Sequence, residues 1–231
     1  MTLGAGRWWP GEVQEASTTN EGGRTEAVSC LEERGNQWRR ILLYSAIGLA
    51  GTEGFFGLFS DLLDNGSQLG DAVGHLVGLP LAFAIFVVAM ASVLQPGRRR
   101  VLTWFAWTAV FGTFAYVLGY GLMGPPVDFA LSITVTGVIF GLVQRSALRK
   151  RGVAGGGRCV TSAITGYTLG AITGVAVAIV IAPHLPDTTL AYGLLTAILG
   201  FVAGAVGGAI NGHSLSGLWW TRTPADSALA R

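Results

Sequence analysis

Residues 75–123 read HLVGLPLAFAIFVVAMASVLQPGRRRVLTWFAWTAVFGTFAYVLGYGLM, two apolar runs separated by Arg98, Arg99 and Arg100. Each run approaches or exceeds the about 20 residues that a helix needs to cross about 30 Å of hydrocarbon. Working outward from this pair, the same pattern recurs, giving apolar runs at 41–63, 75–94, 101–123, 127–144, 160–182 and 190–211. Six crossings return both termini to one face. All fifteen Lys and Arg fall on that face: Arg7, Arg24, Arg34, Arg39, Arg40, the loop Arg98 to Arg100, the loop Arg145, Arg149, Lys150, Arg151 and Arg158, then Arg222 and Arg231. The opposite loops hold Asp64, Asp71, Asp128 and Asp187, with His75 and His184. Short loops rich in Lys and Arg stay in the cytoplasm. The expected fold is therefore all-α: a polytopic membrane protein of six transmembrane helices with cytoplasmic N and C termini.

Composition agrees. Apolar residues make up 51% of the chain and charged residues only 12%, and the mean hydropathy of +0.53 lies outside the range of soluble globular domains. The net charge of +2 carries no implication of nucleic-acid binding, because the basic residues are dispersed over helix ends where topology accounts for them. Cys30 and Cys159 both map to the reducing side, and neither stands near a histidine in a zinc-like spacing. No cofactor and no metal are expected.

Residues 1–37 contain no apolar run long enough for the core of a secretory signal, which predicts no cleaved leader. With six Glu against three Arg, they read as a disordered cytoplasmic leader. Residues 38–220 form the transmembrane domain, and 221–231 a short polar tail. Trp38, Trp104, Trp107, Trp219 and Trp220 fall at the basic ends of spans, where an indole ring is expected to sit at the bilayer interface. Gly124, Pro125 and Pro126 predict a tight turn between the third and fourth spans.

Thirty-five glycines provide the second signal. They recur every three or four residues: Gly48, Gly51, Gly54 and Gly57 in the first span, Gly137 and Gly141 in the fourth, Gly166, Gly170 and Gly174 in the fifth, Gly200, Gly204 and Gly208 in the sixth. At that spacing they line one helix face, where a neighbouring backbone can approach closely. The expectation is a glycine-packed bundle, in which Gln144 bonds across a neighbouring helix. The stretch from Gly137 through Gly141 and Gln144 to Leu148 and Arg149, followed by a glycine-rich turn and a helix opening at Ser162 and Gly166, resembles uncharacterised bacterial multi-pass membrane proteins. Those carry a GxxxGxxQxxxLR helix before a second glycine-rich helix. The likeness covers about residues 133–210 and departs in having Arg145 where an aromatic residue commonly follows the glutamine. It implies a bacterial cytoplasmic (inner) membrane location and carries no activity.

An ionisable group inside a membrane helix costs about 2.5–3.5 kcal/mol on the insertion scale, and so marks a functional candidate. Glu53 is the clear case, about 20 Å along the helix from Arg40. Thr113 and Tyr116 in the third span, Thr134 and Thr136 in the fourth and Thr173 in the fifth fall at comparable depth. Asp61 lies about 12 Å further out and about 80° round the helix. Glu53, Asp61, Thr113 and Tyr116 are the candidate ligand or ion residues, with the proton among the ions considered. Asp61, Asp64, Asp71 and His75 form a weaker candidate for a divalent cation. The other outer aspartates, Asp128 and Asp187, read as solvated loop charges. Gly212-His213-Ser214-Leu215-Ser216-Gly217 fails the hydrolase elbow pattern and follows a helix, so no catalytic residue is expected and the chain reads as a non-enzyme.

Two function classes follow. The first is a structural or accessory subunit packed against a membrane-protein partner or another copy of itself. The alternative is a small-solute transporter or substrate-binding membrane component with Glu53 in its site. They differ in where the glycine stripes face: outward towards a partner in the first, inward around a polar site in the second.

Overall fold

The computed structural model describes residues 21–63, 74–94, 98–123, 127–150 and 156–219, with side chains described at 36–63, 74–92, 101–119, 127–146, 148, 149 and 156–215. Asp64, Asp71, the Gly124 to Pro126 turn and the C-terminal tail lie outside the described residues, as does the side chain of Cys30. The elements are α1 (Glu21–Leu63), a single π-helical turn (Gly74–Gly78) running into α2 (Leu79–Leu94), α3 (Arg98–Met123), α4 (Val127–Lys150), α5 (Gly156–Ile181), a 3-10 turn (Ala182–His184) and α6 (Thr189–Trp219). Six segments are long and apolar enough to cross a membrane: Asn36–Leu63, Gly74–Ser92, Val101–Gly119, Val127–Ser146, Gly156–His184 and Thr189–Leu215. All six coincide with the apolar runs of the sequence.

The chain divides into residues 1–33 and 34–231. In the first, helix begins at Glu21, ahead of the entry expected near residue 38. The stretch Glu26, Ala27, Leu31, Glu32 and Glu33 consists of good helix formers. In the second unit, the six spans run alternately up and down. The face where the first span begins and the last one ends is called the terminal face below.

Glycine positions record which helices meet, because each shows what an added Cβ would strike. Gly48 and Gly51 face α2, at Ala89, Phe86 and Ile85, whereas Gly54 and Gly57 face α6, at Ala197 and Thr196. The four-glycine stripe of α1 is thus divided between two neighbours. Gly200, Gly204 and Gly208 on α6 face Leu49, Ser45 with Ala46, and Leu42 with Ser45 on α1. A Cβ at Gly204 would lie 2.7 Å from the Ala46 Cα. Gly166, Gly170 and Gly174 on α5 face Gly207, Ala203 and Leu199 on α6, and in each case the atom met first is a backbone carbonyl oxygen. Gly137 and Gly141 face Tyr167 and Val160 on α5. Consecutive helices pack together, and α1 meets α6, so the six form a closed ring.

Aromatic side chains fill the ring on the terminal side of Gly48. Phe86 packs edge-on against Trp104, Phe140 and Tyr167, with centroids 6.4, 5.9 and 6.1 Å away, and Trp104 stacks on Phe140 at 5.4 Å. Trp104 is only 1% exposed, which corrects its expected place at the bilayer interface. Stacking on Phe140 turns its ring inward. Trp38 and Trp107 stay at or near the surface; the Trp38 indole donates to the Ala209 carbonyl at 3.1 Å.

Candidate functional site

The half of the bundle away from the terminal face brings together acidic and aromatic side chains from four helices. Glu53 enters from α1 and is buried, 6% exposed. It has room because position 200 of α6 is glycine; a Cβ there would come within 2.8 Å of the Glu53 Cγ. Its neighbour Thr52 donates to the Gly48 carbonyl at 2.8 Å and to the Ala82 carbonyl of α2 at 3.0 Å, fixing the register of α1 against α2.

Asp128 stands opposite in the first turn of α4 and is 3% exposed. Its Oδ1 accepts the Phe129 N–H at 2.6 Å, the position at a helix start where a negative charge is favoured by exposed amides. Its burial has a local cause. Gly119 lets α3 close onto this turn, since a Cβ there would lie 2.5 Å from the Asp128 Cα and 3.0 Å from its nitrogen. Tyr116, three residues before Gly119 on the same helix face, makes side-chain hydrogen-bonding contact with Asp128 and lies within electrostatic range of Glu53 and Tyr192.

Glu53 and Asp128 lie within electrostatic range of each other. Among the described residues the basic side chain nearest Glu53 along α1 is Arg40, and the one nearest Asp128 along α4 is Arg145, about 20 and 25 Å away at 1.5 Å per residue. An aromatic wall adjoins the pair. Phe56 meets Tyr116 at 5.2 Å and His75 at 5.7 Å, and His75 meets Tyr116 at 5.4 Å. His75 reaches this wall from the π-helical turn.

The terminal half is polar in a different way. Ser45 and Tyr167 share a hydrogen bond of 2.5 Å across the ring from α1 to α5. The Asn211 Oδ1 accepts from the Ser162 hydroxyl at 3.3 Å. Gln144 is 1% exposed, and neither its amide oxygen nor its nitrogen has a hydrogen-bond partner. The bond it was expected to make across a glycine groove is not formed.

Comparison with known protein families, curated proteins and solved structures gives no match.

Of the sequence candidates, the structure brings Glu53 and Tyr116 together. Asp61 is half-buried on α1, two turns beyond Glu53, and Thr113 is half-buried with its hydroxyl unpartnered. Thr136 donates back to the Ser132 carbonyl at 2.9 Å, Thr134 pairs with Thr168 at 3.2 Å, and Thr173 is exposed and bonds the Leu169 carbonyl at 2.8 Å. Two of the five supposed depth partners of Glu53, Thr136 and Thr173, are thus satisfied on their own helices. Among the described residues no three His, Cys, Asp or Glu side chains gather to hold a metal.

Sequence reasoning missed Asp128, which read as a solvated loop charge, along with Tyr192; His75 was grouped with Asp61, Asp64 and Asp71 instead. The Gly124-Pro125-Pro126 sequence, which leaves only three residues between α3 and α4, was the available signal. Such a short connection presses the first turn of one helix against the last turn of the preceding one, where Gly119 stands.

Proposed function

We propose that this chain lies in a bacterial cytoplasmic membrane with both termini inside, and that it binds a small cation or cationic solute from the outer side, as a substrate-binding component or transporter. The observation that carries this reading is the buried carboxyls of Glu53 and Asp128, within electrostatic range of each other and with no lysine or arginine beside them on their own helices among the described residues. Each ion taken out of water costs several kcal/mol, and two like charges at short range add repulsion. A cation seated between them, the proton included, offsets both terms. Tyr116 orients Asp128, while the rings of Phe56, Tyr116 and His75 offer π faces suited to an organic cation. The aromatic cluster around Phe86 fills the ring on the terminal side of the pair, so access is from the opposite face. Positive charge on the terminal face makes that opposite face the outer one.

We read the bundle as glycine-packed. Apart from Gly157, the described glycines meet neighbours of the same bundle, which supports the inward arrangement over stripes held open for a partner subunit. The test is thermal melting of the purified full chain against sodium, potassium, guanidinium and choline. A cation present at 100 times its dissociation constant adds about 2.7 kcal/mol to stability. At least one of them should raise the melting temperature of the wild type, and Glu53→Gln and Asp128→Asn should each remove that rise. An unchanged rise in both variants, or no rise with any cation, contradicts the proposal.

A further inference from the structure

The flank of the ring formed by α3 and α4 carries a lateral groove of about 620 Å³. Trp107, Phe111, Ile139 and Leu142 line its apolar length, and Thr103 and Ser146 its polar end. That volume lies in the range of sites that take a discrete ligand. Leu142, Trp107 and Phe111 are 50, 54 and 42% exposed, so the groove is open along the membrane-facing side. Its polar end lies towards the terminal face. There Arg149 is exposed, three residues past Ser146 on the same helix face. Trp104 closes the inner wall of the groove and is 1% exposed.

We propose that this groove binds an anionic phospholipid. An acyl chain lies along Leu142, Ile139 and Phe111, and the phosphate meets Arg149. Charge chooses the lipid class. Basic pockets between membrane helices on the cytoplasmic side suit acidic headgroups, at about 1 kcal/mol or roughly fivefold in affinity per basic residue. A neutral lipid would fill the apolar part and gain nothing from the arginine. The site is separate from the carboxyl pair and stands or falls without it.

The experiment uses the full chain in nanodiscs of equal parts phosphatidylcholine and phosphatidylglycerol, with lipid retained after detergent exchange counted by native mass spectrometry. Phosphatidylglycerol should be retained in preference to phosphatidylcholine by the wild type. Arg149→Gln should lower that preference roughly fivefold, and Val138→Phe, which fills the groove from its wall, should remove retained lipid of both kinds. Equal retention of the two lipids by the wild type overturns the proposal and needs no variant to fold. So does an unchanged preference in Arg149→Gln, or a disulfide-linked dimer of Leu142→Cys in place of bound lipid, which would assign the groove to a second copy of the chain.

Discussion

On the terminal side of Gly48 the bundle pairs a serine with a tyrosine and closes four aromatic rings over its axis, whereas on the far side it sets two carboxyls against each other beside an aromatic wall. Both regions are built by the same means, with glycines on one helix making room for a side chain or backbone of the next. Gly207 accommodates the Tyr167 ring as Gly200 accommodates Glu53. The difference is in what occupies the space. A Ser45–Tyr167 hydrogen bond joins two hydroxyls and holds α1 to α5, so that pair stabilises. Like charges in a medium of low dielectric do the reverse, and groups that destabilise a fold while lining a site are those expected to serve binding.

Substitutions can break this contrast in order of size. Phe86→Ala removes a ring that touches three others and should cost about 3 kcal/mol, as large-to-small changes in packed cores do, read as a fall in melting temperature with no change in cation response. Gly170→Ala drives a methyl into the Ala203 backbone and should cost about 1–3 kcal/mol by overpacking. Tyr167→Phe should cost about 0.6 kcal/mol, the average for a polar contact between membrane helices. Gly157→Ala, where an added Cβ meets nothing within 4 Å, should leave the melting temperature unchanged or slightly higher. A fall in cation affinity in Phe86→Ala at preserved fold would merge the two regions into one site.

The six spans were legible because charge and apolar length act on the whole segment, and the described boundaries differ from the apolar runs by a few residues. Helix faces were not legible. Nearly every span is apolar all round, so the division of Gly48, Gly51, Gly54 and Gly57 between two neighbours depends on packing that no periodicity records. Depth counting found Glu53 and Tyr116 at one level, but it could not place Asp128. A residue two positions after a proline turn looks solvated in sequence, and it is buried here because Gly119 lets the preceding helix close over it. Trp104 misled for a related reason: an indole near a basic loop fits the interface pattern, yet stacking on Phe140 draws it inside.

The claim that Glu53 and Asp128 form an opposed pair awaiting a cation is tested most directly by a double-mutant cycle. Melting of Glu53→Gln, Asp128→Asn and the double variant would be measured near neutral pH without added metal or organic cation. Asparagine can still accept the Phe129 N–H at a helix start, so the cycle isolates charge from capping. The account predicts that each single substitution raises the melting temperature and that the double variant gains less than the sum, with a coupling of at least about 0.5 kcal/mol. A lower melting temperature in both single variants, or effects that simply add, would contradict it.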